Sequence, residues 1–158
     1  MAQTTMTAVP SVAFAGLLSE NSEKMIRTYL NAEGAAIPFG VAVQLDSTGV
    51  ASLPDSSSDK IVGIAVHAHA YEQEGLTGAL GIPDGERFGV LRKGVIWVIC
   101  EDGCVEGDPA FYRHADAGAL GLGALRTDAD TADATALAGC EFISTAAAGG
   151  LALLLVDL

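Results

Sequence analysis

The side chains able to do chemistry are few and scattered. His67-Ala68-His69 is the sharpest pair. Two histidines two residues apart on a strand project to one side, close enough to share a metal ion. A third ligand would have to come from His114, Cys100, Cys104 or a carboxylate, and no spacing in the chain brings one there. On a polar sheet face the same two histidines would instead make a contact sensitive to pH. Cys100-Glu101-Asp102-Gly103-Cys104 is C-x3-C, not the C-x-x-C of redox and zinc modules. With Cys140 it forms an odd set lacking a framework spacing, which reads as reduced thiols in a protein made inside a cell. Gly118-Ala119-Leu120-Gly121-Leu122-Gly123 imitates a dinucleotide fingerprint without the strand and helix that would give it meaning. Asp128-Ala129-Asp130-Thr131-Ala132-Asp133 has the carboxylates of a calcium loop but not its glycine or closing glutamate, so it reads as solvated loop. Ser56-Ser57-Ser58 sits outside any G-x-S-x-G elbow. The sequence therefore assigns no catalytic residue, no cofactor site and no metal site.

Composition narrows the partners. A chain of 158 residues suits one domain with a core of its own. Half the residues are hydrophobic but only 6% are aromatic, and 19 are glycine, so thin layers and sharp turns are expected. Eight basic against twenty acidic residues give a net charge of -12. Such a chain repels phosphate backbones and anionic lipid, which argues against nucleic acid and membrane as direct partners. Half of the basic residues (Arg87, Arg92, Lys93 and Arg113) fall between positions 87 and 113. No basic residue precedes Lys24, and Gly16 breaks the apolar segment near Phe14, so no secretory signal is expected. The apolar run Leu151 to Val156 is far short of a membrane span.

The elements that must position these residues read as strands. Arg87 to Cys100 is the densest run of β-branched and aromatic residues and holds Trp97, the only tryptophan. Val95 to Cys100 are six consecutive apolar residues, which predicts a strand covered on both faces. Gly107-Asp108-Pro109 supplies turn chemistry before Ala110-Phe111-Tyr112, so residues 87–113 are expected to form a hairpin-like core unit. Residues 1–13 lack a helical stripe and read as an extended N-terminal arm rooted at Phe14–Leu18; residues 14–158 form the single β-rich domain. Residues 23–31 fit helix or strand, with the Ile26, Thr28, Leu30 alternation favouring strand. Val41, Val43 and Leu45 alternate as a half-buried strand. Ile61 to Tyr71 reads as one strand with Val62, Ile64, Val66, Ala68 and Ala70 on one face, and Ile61, Ala65, His67, His69 and Tyr71 on the other. A Gly-rich connection follows, ending in Ile82-Pro83-Asp84-Gly85. A short strand near Leu120–Arg126 and a mobile acidic loop over Asp128–Thr135 are expected next, then strands at Cys140–Ser144 and Leu151–Leu158. Eight or so short strands of this kind predict an all-β sandwich or barrel.

Several blocks, in order, carry a family likeness: Phe14-Ala15-Gly16-Leu17-Leu18, Ala36-Ile37-Pro38-Phe39-Gly40-Val41-Ala42-Val43 and Val62-Gly63-Ile64-Ala65-Val66-His67. Val90-Leu91-Arg92-Lys93-Gly94-Val95-Ile96-Trp97-Val98, Gly107-Asp108-Pro109-Ala110-Phe111 and Ala148-Gly149-Gly150-Leu151-Ala152 continue it. The chain resembles the structural cement, or head decoration, proteins of tailed bacteriophages. The resemblance implies a compact β domain, jelly-roll-like in some cases, on the outer surface of the assembled head. It implies the major capsid protein and further copies of the chain as partners, a mechanical rather than enzymatic role, and resistance to the pressure of packaged DNA. The expected contact residues are Phe14, Arg87, Arg92, Lys93, Trp97 and Arg113. The competing readings are a tail or connector subunit, and a ligand- or metal-binding β-barrel built on His67 and His69.

Overall fold

The computed structural model describes residues 13–20, 22–71, 81–115 and 120–158; the expected arm at 1–13 lies, apart from Ala13, outside the described residues. Among the described residues nine strands follow in chain order: β1 (Met25–Leu30), β2 (Ala42–Leu45), β3 (Ala51–Ser52), β4 (Ile61–Ala65), β5 (Arg87–Cys100), β6 (Pro109–Arg113), β7 (Leu125–Arg126), β8 (Ala134–Phe142) and β9 (Gly150–Asp157). Two 3-10 turns, His69–Tyr71 and Asp130–Ala132, are the helical elements among the described residues.

β5 is the hub because it is long enough to serve two sheets. Its second half pairs β9 in an unbroken antiparallel ladder from Lys93↔Asp157 to Cys100↔Gly150. From there the hydrogen-bonded order β5–β7–β6–β8–β9 returns to β5 and closes a barrel. Closure pairs every barrel strand on both sides and so removes its open edges. The first half of β5 lies between β1 and β4, and β4 carries β2 and β3 outward as an extension of the sheet. The all-β expectation holds, and of the two architectures foreseen the chain takes the barrel.

Alternation within each half of β5, with a slip between the halves where Met25 faces Lys93 but Ile26 faces Leu91, separates the two cores. Ile96, Val98 and Cys100 of β5 point into the barrel opposite Leu154, Ala152 and Gly150, where Leu125, Phe142, Tyr112 and Val156 join them. Phe88 and Val90, nearer the start of β5, pack instead with Val43, Val62, Ala65, Ile37 and Ile82 in a second core outside the barrel. β2 and β4 divide the two cores, with Ala42 and Ile64 on the barrel side and Val43 and Ala65 on the other. Fully burying each such aliphatic side chain stabilises the fold by about 1.5–3 kcal/mol before the cost of ordering it.

Three expectations fail for identifiable reasons. Residues 87–113 are not a hairpin: β7 lies between β5 and β6, pairing in parallel with Cys100 on one side and antiparallel with Tyr112 on the other. Ile61–Tyr71 is not one strand, since β4 stops at Ala65 and the chain turns at His69–Tyr71. Its faces also differ from simple alternation. Val62 packs in the outer core and Ile64 in the barrel, because the register slips where Val43 faces Gly63 but Gln44 faces Ile61. One extra residue in β4 rotates all that follows by half a period. The acidic stretch at 128–135 is not a free loop either: it forms the turn at Asp130–Ala132, and its last residues already belong to β8.

The three cysteines are all buried and unpaired. Burial pushes the Cys140 thiol up to about 11, and burial with the neighbouring Asp102 raises Cys100 as well. Thiolate is the reactive form, so both should be inert while the protein is folded. A thiol-specific reagent at neutral pH should label neither in the native protein and both after denaturation, counted by mass spectrometry.

Candidate interaction surface

β5 leaves the fold with two different outer aspects. Along its second half, the side chains facing away from the barrel are Val95, Trp97 and Ile99, opposite Leu155, Leu153 and Leu151 of β9. All six are half-buried, so three cross-strand pairs make an apolar outer face. Lys93 and Asp157 end the row, with Nζ 3.7 Å from the carboxylate. The edge of this face is fixed by the chain after Phe14. Trp97 donates its N–H to Leu17, Gly16 donates to the Trp97 carbonyl, and Ser19 donates to that of Val95. Trp97 thus stands in a rigid frame.

The first half of β5 carries a basic ribbon with β1. Met25 lies opposite Lys93, and Leu30 opposite Arg87. Segments 23–31 and 86–93 contain Lys24, Arg27, Arg87, Arg92 and Lys93 against Glu23 and Glu86. Arg113 and Arg126 are buried, which leaves Lys60 as the one accessible cation elsewhere. Charge is therefore divided unevenly: a positive ribbon on a molecule of net charge -12. Met25 and Ile26 lie on the same ribbon, 48% and 43% exposed. Of the residues expected at a contact, Arg87, Arg92 and Lys93 come together here. Lys24, Met25, Ile26 and Arg27 lie on the same ribbon; the Ile26, Thr28, Leu30 alternation was the signal in the sequence that placed 23–31 in a strand.

Arg113 must be withdrawn from that set. It is 1% exposed, and its guanidinium binds Glu101 through Nε and Nη2 at 3.0 and 2.9 Å and Asp130 through Nη2 at 2.6 Å. Arg126 donates to the same two carboxylates at 3.3 and 2.7 Å and to Asp128 at 3.0 and 2.7 Å. Asp102 accepts from the Thr127 main chain and hydroxyl. Two arginines thus hold the 128–130 segment onto the barrel. Arg113 follows the barrel-facing Tyr112 and lies on the other face of β6, where Glu101 and the 128–130 segment cover it, so its charge is consumed within the fold.

Phe14 stands apart from the ribbon. Its ring lies 4.3 Å from that of His67, which in turn lies 4.5 Å from Phe39 and 5.1 Å from His69. Gly16 and Gly40 permit this closeness, since a Cβ on Gly16 would stand 2.7 Å from the main-chain nitrogen of His67. His67 is therefore a packing partner for the root of the N-terminal segment. Among the described residues no group of three or more His, Cys, Asp or Glu side chains is arranged to hold a metal ion.

The described residues thus form an all-β protein: a closed barrel with an extended sheet, an apolar outer face and a segregated basic ribbon. Residues 2–156 match the family described as Structural cement protein (E217 gp24/Pam3 gp6), and the chain belongs to that phage cement family. The family is one of structural parts of the phage particle, which implies a non-enzymatic role. The fold is also similar to that of a chain in the solved capsid of Myoviridae phage XM1, with a TM-score of 0.71 at 20% identity over 98% of each chain. No curated protein matches the sequence.

Proposed function

We propose that this protein binds the outside of the assembled phage head and bridges neighbouring major capsid protein subunits, holding the shell against the pressure of packaged DNA. The family match over residues 2–156 carries the reading. The two aspects of β5 support it, because a bridge needs two separate contacts and the strand offers an apolar face at one end and a basic ribbon at the other. A specific contact of standard size covers about 800 Å² on each partner. Two such contacts on one rigid body act bivalently, so each can be modest while the pair is tight. The acidic remainder of the surface keeps the protein off the packaged nucleic acid.

Electron microscopy of heads assembled with and without the protein tests this. Density on the outer surface spanning two subunits is expected; density in the tail or connector would overturn the proposal. Charge reversal of Arg92 and Lys93 should lower occupancy on purified heads without lowering the melting temperature. Removing residues 2–12 should lower it too; unchanged occupancy would remove that segment from the contact.

A further inference from the structure

We infer that the free edge of β1 takes up an extended, acidic strand of the capsid shell, adding it to the sheet beside β5; the inference rests on the cement reading above. The backbone pattern makes the edge available. β1 pairs with β5 alone among the described residues. Asn31 donates to the Glu86 carbonyl, while the Gly89 carbonyl accepts from Val66 on the opposite side of β5. Alternation then turns Arg27 and Tyr29 towards β5 and leaves the N–H and C=O groups of Ile26 and Thr28 directed outward. An edge of this kind is a template for another strand.

Charge selects the occupant. Natural edges are often guarded by single lysines, but here five of the six accessible cations of the whole chain gather on one two-stranded ribbon. Two copies meeting along β1 would set these ribbons against each other, so the pattern disfavours a second copy and favours an acidic partner. Exposed Met25 and Ile26, together with outward peptide groups, suit a polypeptide strand better than a phosphate backbone. Such a partner would bury the two apolar side chains between backbone hydrogen bonds on one side and carboxylate–cation pairs on the other.

Thr28→Pro is the direct test. Proline removes the outward N–H and is tolerated on an open edge, leaving the β1–β5 ladder intact. On heads assembled without this protein, T28P should bind about tenfold more weakly or worse, with an unchanged melting temperature. Binding equal to wild type would overturn the inference while leaving the cement reading in place; failure of the wild-type protein itself to bind heads would sink the cement reading instead. If T28P unfolds, a photo-crosslinking residue at Met25 decides. A crosslink to an acidic segment of the capsid protein supports the inference. A crosslink to another copy, to nucleic acid or to a segment without carboxylates overturns it.

Discussion

Replacing Arg113 by alanine should destabilise the folded protein by about 3–5 kcal/mol, the usual loss when one member of a buried ionic network is removed. The side chain is 1% exposed and supplies three of the hydrogen bonds that hold Glu101 and Asp130. Its removal leaves a cavity and a carboxylate, Glu101, that is 12% exposed and now served only by Arg126 at 3.3 Å. Urea unfolding followed by Trp97 fluorescence should show a lower midpoint with an unchanged slope. Arg113→Lys keeps the charge but not the fork that engages Glu101 through two nitrogens, so it should recover only part of the loss. A loss near zero for R113A would mean that Arg126 alone holds the 128–130 segment.

The same network sets the acid limb of stability. The hydrogen bond from Arg113 is the main reason the Asp130 carboxyl sits below the usual carboxylate range. A group whose pKa is lower folded than unfolded adds stability above its unfolded pKa, and that stability is lost as pH falls through the folded value. Stability should therefore be flat with respect to this group from pH 7 to 5 and decline below about 4. Asp130 is 38% exposed, so solvent and salt screen its share. In R113A the acid limb should be shallower, because the shift largely disappears with the arginine.

What the sequence made legible depended on distance along the chain. The apolar run from Leu151 was readable because its burial follows a period of two; Val41, Val43 and Leu45 do share one face, but the strand is buried on both faces rather than half-buried, since Ala42 packs in the barrel. The family blocks were readable too, and with them the kind of protein. Ring closure was not: it rests on β7, two residues long, whose Leu125 joins Cys100 to Tyr112. The ionic network was equally hidden, because Arg113 and Arg126 meet carboxylates 12 and 25 residues away. A basic residue in a strand of an acidic protein reads as a surface contact until the segment that covers it is known. Arg92 and Lys93 had the same signature as Arg113, and only the fold separates them.

The second large effect is expected at Gly63, where β4 slips by one residue. A Cβ there would run into the Leu91 carbonyl oxygen and the Val90 side chain. Both are partners of β4 in its short ladder with β5, Ile64↔Leu91 and Ala65↔Val90. Gly63→Ala must push the two strands apart or straighten β4. Straightening would exchange the barrel-facing Ile64 with the outer-core Ala65, so neither route is cheap. A loss of about 3 kcal/mol or more is expected, at the upper end for overpacking. Gly49→Ala is the control, since Gly49 has φ +82° but open space around the added carbon. It should cost only about 1 kcal/mol, from backbone strain alone. Equal urea midpoints for the two variants would show that β4 can shift without cost. A much larger loss for G63A would show instead that the close approach of β4 to β5 at Gly63, with the slip that turns Ile64 into the barrel and Val62 out of it, holds the barrel to the sheet that extends from it.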